Sequence, residues 1–261
     1  MLGAIAGDVI GSVFEWHNAK TTEFPLLSPD STFTDDSVLT VATAAAILER
    51  PAAPDYAAAY RDHFRRYPDV GYGPRFRRWA ATQGAPPYRS YGNGSAMRVS
   101  PVAYAWDDVT TVLEAARASA AVTHDHPEGI RGAQATALAV LLARQGAGKV
   151  RICEEIEVRF GYDLGTPLGA IRPSYAFDVT CQGSVPQALR AFLEAEGFEE
   201  AVRLAISIGG DSDTIACIAG AVAEAFFGGV PEAIRDPVIA RLPPHLVLVA
   251  TEFRERFPCP V

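Results

Sequence analysis

The chain is poor in the residues that build covalent or soft-metal frameworks. Its 261 residues include four cysteines, Cys153, Cys181, Cys217 and Cys259, and no two of them form a Cys-x-x-Cys pair. That scatter excludes a disulfide-dense scaffold and a thiolate zinc site. It reads as free thiols in a reducing compartment, the cytoplasm. No apolar run is long and charge-free enough to span a bilayer, so no membrane association is expected. The segment Met1-Leu2-Gly3-Ala4-Ile5-Ala6-Gly7-Asp8 has no basic stretch and carries an early Asp, so it reads as a first helix rather than a signal peptide. Positive charge is also short. With 23 Lys and Arg against 31 Asp and Glu, the net charge is −8, which argues against general nucleic-acid binding. Few segments alternate as strands do.

What the chain does have is alanine-rich sequence at helical spacing. Helices are expected over Asp36–Glu49, Tyr56–Arg66, Asp108–Val122, Glu128–Arg144, Val185–Glu196 and Asp213–Phe227. Arg50-Pro51, Tyr67-Pro68, Gly146 and Gly228-Gly229 mark stops between them. No βαβ pattern and no linker interrupt the series. The expected architecture is all-α: one compact domain over residues 1–261, an orthogonal helical bundle, with a monomer as the simplest state.

The first helix carries a glycine stripe. Gly3, Gly7 and Gly11 recur every four residues and so share one face. Each costs roughly 1 kcal/mol of helix stability against Ala, so the stripe predicts another backbone packed very close. Glu15 continues the spacing and Asp8 lies to one side of it. A carboxylate on an inward face needs a partner, which makes Glu15 a candidate polar-site residue; otherwise it ends the helix at the surface.

Two acidic tetrads stand where apolar helices begin: Thr34-Asp35-Asp36-Ser37 and Asp211-Ser212-Asp213-Thr214. Taken alone, the first reads as a helix cap with further carboxylates favoured by the helix dipole. The second has more acceptors than a cap needs, behind a Gly209-Gly210 pair that permits a tight turn. Brought together, four carboxylates at about 5–7 Å would repel by roughly 2–3 kcal/mol per pair, on the order of 15 kcal/mol in all. That is the size of a whole domain's stability. Such a cluster must take up protons or cations. An oxygen-only ligand set suits Mg²⁺ or Mn²⁺, and four negative charges balance two divalent ions.

Three further segments are candidates for ligand contact. Tyr91-Gly92-Asn93-Gly94-Ser95-Ala96-Met97-Arg98 places a glycine loop before an apolar stretch, a form that either binds phosphate through backbone N–H groups or is an ordinary turn. Thr123-His124-Asp125-His126-Pro127 reads as a capped helix start, with His124 free to contact a substrate. Arg61–Trp79 mixes Arg with aromatics and reads as a solvated helical face with its aromatics turned inward, nucleotide binding being the alternative.

With these elements in order, the chain resembles the ADP-ribosylglycohydrolase family, which includes the dinitrogenase reductase-activating glycohydrolases and the ADP-ribosyl-acceptor hydrolases. The resemblance runs from Gly3–Asp8 through Glu15, Phe33–Asp36, Gly92–Arg98 and Thr123-His124 to Gly209–Ile215. It implies an all-α fold with a binuclear Mg²⁺ or Mn²⁺ site ligated by Thr34, Asp35, Asp36, Asp211, Asp213 and Thr214, with Asp213 bridging. It implies that Gly92, Asn93, Gly94, Ser95, Ala96 and Met97 hold a diphosphate beside His124. Glu15 would lie on the loop after the first helix, near the metals, and Asp35, Asp36 or Glu15 would move the proton. The implied reaction cleaves ADP-ribose from an acceptor at C1″, the acceptor being a modified protein, nucleic acid or small molecule. Two other readings use the same residues: a non-catalytic ADP-ribose-binding or structural protein, and a di-metal phosphohydrolase.

Overall fold

In the computed structural model, which describes residues 1–259, helix is the only regular element among the described residues. About 62% of the described residues are helical, and the sole ladder contact among them is one isolated bridge between Gly92 and Thr180. The first half contains α1 (Leu2–Gly11), α2 (Asp35–Glu49), α3 (Tyr56–Arg66), α4 (Pro74–Ala81), α5 (Gly94–Met97), α6 (Val102–Ala105) and α7 (Val109–Ala121). The second half contains α8 (Pro127–Arg144), α9 (Lys149–Phe160), α10 (Leu168–Ile171), α11 (Cys181–Glu194), α12 (Phe198–Ser207), α13 (Ser212–Phe227), α14 (Glu232–Ile239) and α15 (Pro244–Arg256).

Side-chain caps set the starts of α2, α3, α7, α8 and α11. Thr34 accepts from the Asp36 N–H at the start of α2, and Asp108 accepts from the Thr111 N–H at the start of α7. His126 caps α8 by accepting from Glu128, with Pro127 in the first turn as the sequence predicts. The helix expected over Val185–Glu196 differs: it begins at Cys181 and ends at Glu194. Thr180 supplies the cap by accepting from the Gly183 N–H, and the chain stays helical past the internal Pro186. The Arg61–Trp79 stretch turns its aromatics inward as expected. Tyr72, Phe76 and Trp79 are buried, while Arg65, Arg66, Arg77 and Arg78 are exposed.

One helix organises the core. Every residue of α13 from Ser212 to Ala225 is buried, and the helix packs against α1, α2, α5, α8, α11 and α12. A helix that is apolar on every side belongs in a core. Its tightest neighbour is α1, and the glycine stripe explains why. A Cβ on Gly3 would fall on the Gly220 carbonyl, one on Gly7 on the Ala216 carbonyl, and one on Gly11 would lie 2.5 Å from the Asp213 Cα. Rising numbers on α1 meet falling numbers on α13, so the helices run antiparallel. The last turn of α1 therefore faces the first turn of α13. The stripe does not extend to Glu15: α1 ends at Gly11, and Phe14 N–H closes a turn onto the Gly11 carbonyl at 2.8 Å.

Gly7→Ala forces a methyl into backbone that has no side chain to move aside. It is expected to cost about 3 kcal/mol or more in urea denaturation, or to prevent folding. Gly169→Ala, in the exposed one-turn helix α10 with open space around it, is expected to be neutral or stabilising by up to about 1 kcal/mol.

Candidate functional site

Three helix ends meet where α1 stops. Asp8, in the last turns of α1, is fully buried and reaches across to the start of α2. Its carboxylate accepts from the Thr34 N–H at 3.0 Å, the Thr34 hydroxyl at 2.6 Å, the Ser37 N–H at 3.0 Å and the Ser37 hydroxyl. Asp8 thus caps α2 from another helix. That bond set fixes the first tetrad against the end of α1, and the α1–α13 contact brings the second tetrad to the same point. Thr214 Oγ1 donates to Asp36 Oδ2 at 3.2 Å, joining the two tetrads directly. Asn93 Nδ2 donates to Asp211 Oδ2 at 2.6 Å and to Ser184 Oγ at 3.0 Å, which ties the glycine loop to the same cluster.

The result is six carboxylates rather than four. Asp8, Asp36 and Asp213 each bring an oxygen within 4.8 Å of the others, and so do Glu15, Asp211 and Asp213. Asp213 belongs to both groups. Asp35 stands in neither, but it lines the adjoining cleft, as do Thr34 and Thr214. Among the described residues no Lys, Arg or His forms an ion pair with any of the six. Asp36 Oδ1 is buried with no hydrogen-bond partner at all. An all-oxygen donor set with one orphaned carboxylate oxygen and no organic counter-ion fits a hard divalent cation.

The electrostatics agree. Desolvation, then Asp8 and Asp211, pushes the Asp35 carboxyl well above its usual range. Desolvation followed by neighbouring carboxylates does the same to Asp36 and Asp213. Burial also raises Asp8 and Asp211, although hydrogen bonds from Ser37 and Thr34, and from Asn93, pull the other way. Glu15, half-buried at the edge, is raised to about 7 by desolvation and by Asp211. The N-termini of α2 and α13 both point at the cluster and offset part of its charge.

The cluster forms one end of a cleft of about 570 Å³. Gly92, Asn93, Gly94 and Met97 line it, as does His124, which is buried with its Nδ1 2.7 Å from Thr123 Oγ1. Ser95 and Ala96 do not line it. Ser95 turns its hydroxyl inward to the Gly129 carbonyl at 2.7 Å, and Ala96 is buried in the core, because α5 starts at Gly94 and rotates both side chains away. From the basic-aromatic stretch, Tyr72, Arg75 and Phe76 reach the cleft wall. At the mouth, Trp16 (73% exposed) stacks on Phe177 (45% exposed) with ring centres 5.2 Å apart.

Several contributors carry no motif in the sequence. Asn18 accepts from the Gly210 N–H at 2.8 Å and donates to the Gly210 carbonyl at 3.0 Å and the Glu15 carbonyl at 2.9 Å. It clamps the turn holding Glu15 to the Gly209-Gly210 turn, where both glycines have φ near +75° (74° and 76°). Lys20 Nζ reaches the carbonyls of Ile208, Tyr175 and Arg172 at 2.5, 2.7 and 3.1 Å, a cation bound by three backbone oxygens. Asp8 is the one such residue with a signal: it sits beside the glycine stripe, on a helix that must be buried.

Six carboxyls raised by folding destabilise the protein wherever they ionise. The unfolded chain loses these protons near the ordinary range, about pH 4, so the metal-free fold loses stability as pH rises from there toward the raised native values. Mg²⁺ or Mn²⁺ at about 100 times its dissociation constant is expected to add about 2.7 kcal/mol, or roughly 5–10 °C in Tm. The gain in scanning calorimetry is expected to be larger at pH 8 than at pH 5.5, where protons compete. A gain independent of pH, or absent, would exclude cation binding by this cluster.

Known proteins resemble this chain over most of its length. The profile of the ADP-ribosylglycohydrolase family matches residues 1–255. The ADP-ribosylhydrolase ARH3 of Xenopus tropicalis is 28% identical over 302 aligned residues, covering 87% of this chain and 86% of its own. The mouse and human proteins of the same name are 29% and 27% identical, each over 89% of this chain and 84% and 86% of their own. The solved structure of an ADP-ribosylglycohydrolase-related protein complex shares the fold, with a TM-score of 0.71 at 24% identity over 97% of this chain and 96% of that one. With the profile matched across nearly its whole length, this chain belongs to the ADP-ribosylglycohydrolase family.

Proposed function

We propose that the protein is a metal-dependent hydrolase that releases ADP-ribose from an ADP-ribosylated acceptor by cleavage at C1″ of the distal ribose. The observation that carries this reading is the shared carboxylate cluster at the end of a cleft walled by the Gly92–Gly94 loop and His124. The likeness to the ADP-ribosylhydrolases ARH3 supports the same class of reaction.

Thr34, Asp35, Asp36, Asp211, Asp213 and Thr214 are the residues that would hold two Mg²⁺ or Mn²⁺ ions, with Asp213 shared between them. Bound there, the ions would supply Lewis-acid polarisation and a lowered water pKa. The chain's own residues do the rest. Asp8 fastens the first tetrad to α1 through its bonds to Thr34 and Ser37, and Thr214 Oγ1 joins the second tetrad to it through Asp36. Asn93 orients Asp211. The Gly92–Gly94 loop, Met97 and His124 hold the diphosphate side of the substrate, so binding energy remote from the reacting carbon positions it. Cleavage at an anomeric carbon builds oxocarbenium-like charge, which carboxylates around the ribose favour. Glu15 sits at the cluster's edge with its carboxyl raised to about 7, so near neutral pH it can hold or deliver a proton at the leaving atom. Asp35 and Asp36 are the other carboxylates in reach of that role.

The test is a panel of acceptors carrying ADP-ribose on arginine, serine, nucleic acid or an acetyl ester, incubated with Mg²⁺ or Mn²⁺. Free ADP-ribose is the expected product, read by chromatography. AMP or orthophosphate would point instead to phosphate chemistry, and binding of ADP-ribose without turnover of any acceptor to a non-catalytic role. Asp213→Ala is expected to lower release on the order of 10³-fold, and Glu15→Gln by about 10²–10⁴-fold. Full activity in excess chelator would sink the metal role.

A further inference from the structure

Behind His124, which faces the Gly92–Gly94 loop, the cleft lining contains a cation with no carboxylate partner among the described residues. Arg98 is fully buried, with its guanidinium carbon 4.2 Å from the ring centre of Tyr60. Its Nη2 donates to Thr123 Oγ1 at 2.8 Å and to the Ser119 carbonyl at 3.3 Å, while Nε and Nη1 have no partner. Thr123 Oγ1 lies 2.7 Å from His124 Nδ1. The other ring nitrogen faces the glycine loop: a Cβ built on Gly92 or Gly94 would meet His124 Nε2 at 3.7 or 3.5 Å.

The donor inventory decides where the protons go. A guanidinium can only donate, so the Thr123 hydroxyl must accept from Arg98. Its own proton is then left for an acceptor: His124 Nδ1 lies at 2.7 Å, whereas the Tyr88 hydroxyl beside Thr123 can itself donate. An imidazole that accepts at Nδ1 carries its proton on Nε2. We propose that Arg98 and Thr123 are positioning residues that hold His124 as the neutral Nε2–H tautomer, giving the Gly92–Gly94 loop a fixed hydrogen-bond donor for an acceptor oxygen of the nucleotide. The identity of that nucleotide rests on the proposed function; the tautomer does not.

The surroundings keep the ring neutral. Burial first, then Arg98 and Arg75, push His124 well below the usual imidazole range. The charged or titratable groups facing it are Arg98 through Thr123, Arg75 and Tyr88 from the cleft wall, and Asp125 next in the chain. Tyr88 lies with its ring centre 6.1 Å away and carries the Arg75 guanidinium 5.0 Å above it. The Asp125 carboxylate is engaged by the Arg89 N–H at 2.7 Å. A neutral donor of fixed direction contributes equally to binding across the range in which a free histidine changes charge, between about pH 5 and 8.

Nitrogen-15 NMR of histidine-labelled, ligand-free protein reads the tautomer directly, with His124→Gln assigning the signal. The expected result is a bare Nδ1 and a protonated Nε2, unchanged from about pH 5.5 to 8. Thr123→Val keeps the shape and removes the hydroxyl. It is expected to shift the ring toward the Nδ1–H form and to weaken ADP-ribose binding about tenfold, and Thr123→Ser is expected to restore both. An Nδ1–H ring in the parent, which would mean that the Thr123 proton is turned toward Tyr88, overturns the proposal. So does an imidazolium at pH 7, or a His124 spectrum unmoved by Thr123→Val. Failure of the parent to bind ADP-ribose at all would count against the proposed function while leaving the tautomer result in place.

Discussion

The approach of α1 to α13 is the constraint on which the site depends. Packed helices normally keep about 8–10 Å between axes because side chains fill the gap. Here Gly3, Gly7 and Gly11 on one helix and Gly220 on the other leave nothing to fill it, and backbone meets backbone. The antiparallel arrangement then sets the end of α1 against the start of α13. Asp8 and Glu15 come to the same place as Asp211 and Asp213 for that reason. A side chain at the interface would move these groups apart by more than the roughly 1 Å that a reacting geometry tolerates.

Asp8 is the hinge between packing and chemistry. Its four hydrogen bonds to Thr34 and Ser37 fasten α2 to α1, and α2 brings Asp35 and Asp36 with it. The carboxylates so gathered oppose folding, since each is desolvated and close to others of like charge. Two helix N-termini and the Asn93 amide offset part of that cost. What remains favours a cation, because the free energy that makes the cluster unfavourable alone is released when positive charge enters. The tight backbone contact and the charged site thus lie at the same junction of α1 and α13.

Much of the fold was legible because local rules agreed with the tertiary answer. Alanine-rich periodicity, Thr34 and Pro127 marked helices that lie within a residue of their expected limits. The exception, α11, starts four residues early because Thr180 caps it and a proline in its first turns does not break it. The glycine stripe announced a close partner without naming α13. Extending the stripe to Glu15 failed since the helix stops at Gly11; the residue reaches the cluster through a turn that Asn18 clamps. Ser95 and Ala96 shared a motif with cleft residues but are rotated inward by the short helix they begin, a matter of angle that spacing alone does not encode.

The sequence by itself determined the class of structure and the chemical types available. Helix propensity, caps and stripe are local, and oxygen ligands without thiols or a histidine cluster restrict any metal to the hard cations. The tertiary structure alone decided which of those groups meet. Asp8 became a site residue, Asn18 and Lys20 became clamps, and Arg98 came to lie behind His124, through contacts between residues 8 and 34, 18 and 210, 20 and 208, and 98 and 123. Those contacts depend on how whole helices cross and where their ends fall. A side chain's neighbours across such distances follow from packing geometry, which no short window of sequence contains.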